Sequence, residues 1–184
     1  MEDGAIVALY FARNEDAIRE TDQKYGKLCY RLADNILHNR FDNEECLNDT
    51  YLAVWNQIPP TRPRSLCAFL CRIVRNLSLK RYRRNSAKRR NPLMEASLSE
   101  LEGVLADLAP DELQLLEAKE LAAAIDRFLH NLTYEKKYIF LRRYYFFDPI
   151  EAIAGRCSCG GGRIRLILFR LRQSLSKFLR EEIA

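Results

Sequence analysis

Residues 62–90, RPRSLCAFLCRIVRNLSLKRYRRNSAKRR, decide how this chain is read. Leu66, Phe69, Leu70, Ile73, Val74 and Leu77 recur at helical spacing, which commits one face of a helix to a core. Arg72, Arg75 and Arg83, with Asn76 between them, fall in a narrow arc on the opposite side. The apolar stripe stops at Leu77, and its continuation holds Lys80, Arg81 and Arg84. A helix that is apolar on one side and then basic all round leaves a core and projects toward something negative. The window carries eleven Lys/Arg, and no Asp or Glu occurs between Asp49 and Glu95. Solvated helical faces mix both signs, so nucleic acid is the first partner this stretch implies.

The charge is segregated along the whole chain of 184 residues. Residues 2–49 hold eleven acids against six bases, residues 50–91 are +11, residues 92–120 have eight acids against Lys119, and residues 121–184 are +6. Alternating blocks of this kind imply separate surfaces for separate partners. With 48% hydrophobic residues the chain can bury a sizeable core, as one domain or two small ones. The start, MEDGAIVALYFARNED, has acids where a signal peptide needs bases, and no apolar run approaches the roughly 20 residues that span a bilayer. These features lead to the expectation of a cytoplasmic protein without membrane insertion. Cys67/Cys71 and Cys157/Cys159 are spaced CxxxC and CxC, not as a CxxC zinc knuckle, and no His stands near either pair. Free thiols packed as small hydrophobes are expected, with no metal and no cofactor.

Residues 4–37 read as two helices, with Gly26 as an interruption, beneath the basic helix. Residues 42–58, DNEECLNDTYLAVWNQI, open on Asp42 as a candidate N-cap with Glu44 and Glu45 in the first turn. Cys46, Leu47, Thr50, Tyr51, Val54 and Trp55 make the buried side, and Glu45, Asn48, Asp49 and Leu52 gather on a separate polar face. Pro59 and Pro60 end this helix, and TRPR makes a stiff basic loop.

DNEECLNDTYLAVW resembles the region 2.2 pattern of sigma-70-type RNA polymerase sigma factors, and FLCRIVRNLSLKRYRR resembles the promoter-melting segment that follows it. The short length is similar to that of the extracytoplasmic-function (ECF) group. The resemblance implies docking of the 42–55 helix on the clamp helices of the largest polymerase subunit, with Glu44, Glu45, Asn48 and Asp49 as polymerase contacts. It gives the 59–65 loop, with Arg62 and Arg64, and Arg72, Arg75 and Asn76 the task of holding the unpaired −10 strand. Lys80, Tyr82, Arg83 and Arg84 extend that surface, since single strands take a basic groove with an aromatic for stacking. Phe69 and Cys71 stand where the family often has Trp and Tyr.

Residues 91–110 loosen into an acidic linker with short helical pieces, broken by Gly103 and Pro110. Residues 111–184 read as a second helical domain. Leu113, Leu116, Leu121, Ala124, Ile125, Phe128 and Leu129 give it one apolar face, and Tyr138, Ile139, Leu141 and Tyr145 another. Asp148, Pro149 and Glu151 form a strong helix start, with Asp148 as N-cap. A short helix at 149–157, a turn at 158–160 and a long helix at 162–182 make a helix-turn-helix. IEAIAGRC and RIRLILFRLRQSL resemble the sigma region 4 pattern that reads the −35 element, which assigns Arg163, Arg165, Leu166, Arg170 and Arg172 to that duplex and implies a polymerase flap contact. Gly160, Gly161 and Gly162 replace residues that would cap and stiffen the recognition helix. Leu166 and Ile167, in place of polar base readers, can touch a thymine methyl but cannot hydrogen-bond a base. Weak, salt-sensitive duplex binding with little sequence preference is the expectation.

The sequence thus predicts an all-α chain of two helical domains, 1–90 and 111–184, joined by the linker. Its partners are core RNA polymerase and promoter DNA, and the resemblance leaves room for an anti-sigma factor. A stand-alone helix-turn-helix regulator is the alternative, which would not need the 42–55 helix. No enzyme is expected: His38 and His130 stand alone, and the triple Gly precedes Arg, not the Lys-Ser/Thr of a P-loop.

Overall fold

The computed structural model describes residues 1–85, 91–106 and 118–183, and every regular element among them is an α-helix. Contacts divide the chain into two compact units, Met1–Asn91 and Pro92–Ala184. Residues 86–90 of the basic window, Pro110, and the apolar positions Leu113 and Leu116 lie outside the described residues.

In the first unit, α1 (Asp3–Phe11), α2 (Asp16–Leu37), α3 (Arg40–Gln57) and α4 (Leu66–Asn85) surround one core. α2, α3 and α4 pack pairwise against one another, and α1 lies on α2. Leu32, Ile36, Val54, Leu70 and Val74 are fully buried between them. The break expected at Gly26 is absent, because α2 runs through it. A Cβ at Gly26 would fall 2.3 Å from the Asp22 carboxylate and 3.4 Å from the Tyr51 hydroxyl. The glycine leaves room for Tyr51 of α3 to donate to Asp22 at 2.5 Å, so it serves helix packing and not helix termination.

The start expected at Asp42 is also corrected. α2 ends on His38 in the left-handed region (φ 48°), and Asn39 follows in extended conformation. The Asn39 side chain accepts from the Asp42 amide at 3.1 Å, making Asn39 the cap and opening α3 two residues before Asp42. Asp42 is thereby freed to turn toward α4.

The second unit holds α5 (Pro92–Ala106), α6 (Ala118–His130), α7 (Tyr134–Tyr144), α8 (Ile150–Arg156) and α9 (Gly161–Ile183). α9 is its axis and packs against all four others. Ile164, Leu168, Leu171, Leu175 and Leu179, one stripe of α9, are buried against Phe128, Ile139 and Ile153. Within the stretch read as linker, α5 is a helix of 15 residues. Its Val104 enters the core of this unit, so the segment is in large part an element of the fold. The turn between α8 and α9 uses Ser158 at φ 50°, a conformation that favours glycine.

The N-cap position of α8 falls on Pro149, one residue after the expected Asp148. Asp148 is 1% exposed and accepts from Arg142 Nε at 2.6 Å, with Arg156 at 3.6 Å. The pair compensates two charges that burial would otherwise leave desolvated.

Candidate functional site

α3 presents Glu44, Glu45, Asn48, Asp49 and Leu52 on its outer side, all exposed. Leu52 is 59% exposed, a large apolar side chain open to solvent. Asn48, Leu52 and Trp55 of α3 line a groove with Glu15, Ile18, Arg19 and Asp22. The polar face predicted from the sequence is therefore present, with an apolar trough at its centre.

The acids on that face are not free, however. Arg81 of α4, 9% exposed, reaches across to α3, where it bonds Glu45, meets Asp49 at 3.0 Å and lies 3.5 Å from Asp42. The hydrogen bond from Arg81 holds the Glu45 carboxyl below its ordinary range, and the same bond raises the guanidinium pKa. Glu44 pairs locally with Arg40 at 2.8 Å. Of the four predicted polymerase contacts, Asn48 alone has no hydrogen bond or ion pair among the described residues.

This cluster corrects the reading of α4. Of the basic residues that continue the apolar stripe, Arg81 turns to the acidic side of α3. Lys80, Arg81 and Arg84 line a cleft with Leu77 and Asp49. Lys80 and Arg84, predicted on the −10 surface, are exposed at the rim of that cleft. Tyr82, predicted to stack on bases, is half-buried, and its hydroxyl accepts from the Asn91 backbone amide at 3.2 Å. The Asn91 side chain in turn donates to the carbonyls of Asn35 and Ile36 at 2.9 and 3.0 Å. Tyr82 therefore helps tie the end of the unit back onto α2.

The remaining basic positions form a separate outer face. Arg72, Asn76 and Arg83 are exposed at i, i+4 and i+11 on α4, with Arg75 half-buried beside them. The Arg72 guanidinium lies 5.4 Å from the Phe69 ring. In the preceding loop Arg62 and Arg64 are exposed, and Arg62 sits 4.7 Å over the Phe11 ring. Flat guanidinium–aromatic layers at the surface suit unstacked bases as well as phosphates.

In the second unit the segment predicted as a helix-turn-helix consists of α8, a turn at 157–160, and α9. Arg163, Arg165, Leu166 and Arg170 are exposed on α9. Arg163 lies 3.5 Å from Glu135 of α7 and Arg165 2.9 Å from Glu151 of α8. Both pairs are open to solvent and worth at most about 1 kcal/mol, so phosphates can displace the acids. Arg172 departs from the prediction. It is half-buried and donates to Glu100 of α5 and to the Tyr144 hydroxyl, each at 2.8 Å. Glu100 also accepts from Arg143 at 2.6 Å. That carboxylate fastens α5 to α7 and α9, and it takes Arg172 out of the exposed set.

Sequence reasoning missed the Arg81 cluster and the Glu100 hub, because both join residues more than thirty positions apart. It also passed over Phe169, 49% exposed on α9, for which an aromatic at i+3 from Leu166 was the available signal. All six cysteines are free thiols. Burial pushes Cys29 up to about 12 and raises Cys46, which keeps both protonated and inert. Among the described residues no group of three or more His, Cys, Asp or Glu gathers to hold a metal ion, and no helix is long and apolar enough to cross a membrane.

No curated protein matches the chain. The family model for Sigma-70 region 2 matches residues 22–88, which run from the first turns of α2 past the end of α4. The matched segment holds the three mutually packed helices of the first unit, the exposed α3 face and the basic outer face of α4. Residues 22–88 are thus similar to region 2 of the sigma-70 factors, a likeness confined to the first unit.

Proposed function

We propose that the chain is an initiation factor of the ECF type that binds core RNA polymerase and directs promoter opening. The observation that carries this reading is the region 2 match over α2–α4, combined with two distinct exposed faces on α3 and α4. The α3 face, centred on Asn48 and Leu52, takes the clamp helices of the polymerase. The outer face of α4, with the 59–65 loop, takes the unpaired −10 strand through Arg62, Arg64, Arg72, Arg75 and Asn76. The second unit contacts the −35 duplex through α9, and polymerase through its flap contact. The stand-alone regulator is the weaker reading, because it leaves the α3 face without use.

Single-strand binding tests the division of labour between the two faces. Arg62→Ala with Arg72→Ala removes two exposed guanidiniums that make no ion pair among the described residues. At roughly 1–3 kcal/mol per lost stacking contact, affinity for a single-stranded −10 oligonucleotide should fall at least tenfold. Core polymerase binding should stay within about twofold, since α3 is untouched. Equal losses on both ligands, measured by fluorescence anisotropy and by polymerase capture, would show that the surfaces are misassigned.

A further inference from the structure

The exposed side of α9 has a layered composition. Gly162, Leu166, Phe169 and Gln173 succeed one another at i, i+4, i+7 and i+11 and form one stripe, directly opposite the buried leucines. Leu166 and Phe169 are about half exposed, at 48% and 49%. Arg165 flanks the stripe on one side, and Arg163 and Arg170 on the other. No Asp or Glu occurs anywhere from residue 152 to residue 180. Gly162 has open space around its Cα, with nothing within 4 Å of an added Cβ, so packing does not demand its bareness.

An apolar stripe between two rails of arginine fits an occupant that is negative at both edges and apolar between them. Duplex DNA viewed into its major groove is such an object: two phosphate strands about 12 Å apart, with thymine C5-methyl groups on the floor. Resting on the duplex-binding role proposed for this unit, we infer that α9 reads thymine methyls by apolar contact, with Leu166 and Phe169 as the specificity-determining side chains. Arg163, Arg165 and Arg170 hold the phosphates, after Glu135 and Glu151 release the first two. Gly162 lets the helix approach the base edges closely. The helix thus prefers thymine-rich duplex without hydrogen-bonding readout, which replaces the expectation of little sequence preference.

The test uses the full chain and two pairs of duplexes that differ only in the C5-methyl group: alternating poly(dA-dT) against poly(dA-dU), and poly(dG)·poly(dC) against its 5-methylcytosine form. Each buried methyl is worth roughly fourfold in affinity, so two contacts predict about a fifteenfold preference for the methylated member. Leu166→Ala with Phe169→Ala should abolish the preference while leaving the salt dependence of binding unchanged. Arg163→Ala with Arg170→Ala should lower the slope of log affinity against log salt by about 0.9 per lost phosphate contact. Both apolar positions are half-exposed, and the wild-type comparison needs no variant at all. Equal affinity for thymine and uracil duplexes, with a steep salt slope, would overturn methyl reading and leave duplex binding standing. Loss of polymerase capture in the Leu166/Phe169 variant, with the thymine preference unaltered, would make the stripe a protein contact. No duplex binding by the wild-type chain would remove both readings.

Discussion

Asp148→Ala should strongly destabilise the second helical unit and leave the stability of the first one unchanged. Asp148 is buried at the junction of α7 and α8, and its carboxylate answers Arg142, which is itself 6% exposed. Arg142 is also stacked 4.3 Å over the Phe146 ring, which pins the guanidinium where water cannot replace the lost partner. Removing one member of such a buried pair costs about 3–5 kcal/mol, because the other charge is left uncompensated. A domain of this size is stable by about 5–14 kcal/mol, so the loss takes a large share of the total. Trp55, the sole tryptophan, belongs to the first unit, so its fluorescence follows that unit while far-UV circular dichroism follows both. The expected result is a large fall in the dichroism midpoint with an unchanged Trp55 transition. Arg142→Met with Asp148→Leu should recover most of the stability, since apolar replacement of a buried pair is near neutral. A cost under about 1 kcal/mol for Asp148→Ala would mean that the pair is dispensable.

Arg81→Ala should destabilise the first unit and alter the α3 face at the same time. The guanidinium is buried, but Glu45 and Asp49 are 66% and 50% exposed, so the carboxylates it leaves behind can be solvated. That discounts the loss to about 1–2 kcal/mol, a fall in melting temperature of about 5–15 °C for a unit of this size. The sign of the pH dependence follows from Glu45, whose folded pKa is depressed by the bond from Arg81. Its contribution is present above the unfolded carboxyl value of about 4 and is lost as pH falls through the lower folded value. The wild-type unit should therefore lose stability on acidification below about pH 4, and Arg81→Ala should lose less over the same range. Melting curves of both proteins across that window check it. A variant as acid-sensitive as the wild type would show that the bond does not act on stability.

The same cluster shows how far the sequence could be read. Helical spacing revealed which faces of α3 and α4 are buried, because each periodic stripe has a physical period of its own. It could not reveal that Arg81 turns inward, since a guanidinium at an apolar-stripe position can either project outward or fold back onto a neighbour. The choice depended on Asp42, Glu45 and Asp49 lying opposite, a fact of helix packing. Gly26 failed for the same reason: a local rule for helix breaking was overridden by a tertiary partner, Tyr51. Leu166 and Phe169 show the converse, where local spacing alone places both on the open side of α9. The acidic stretch at 91–110 looked like a linker because its composition is polar, yet Val104 and Glu100 give α5 its seat on the second unit.

The cluster also decides how the polymerase face must be probed. Charge reversal at Glu45 and Asp49 would set new cations against Arg81 and disturb the fold, so a lost interaction would have two explanations. Asn48 and Leu52 lie on the same exposed face, and no hydrogen bond or ion pair joins either to the rest of the unit among the described residues. The measurement that tests the account most directly is capture of core RNA polymerase by the tagged full chain, wild type against Asn48→Arg with Leu52→Arg. The account predicts stoichiometric capture by the wild type and at least a hundredfold weaker capture by the variant, from roughly 3 kcal/mol lost on burying unpaired charge at the interface centre, with helicity unchanged. Failure of the wild-type chain to capture core polymerase, or capture by the variant at wild-type strength, would contradict it.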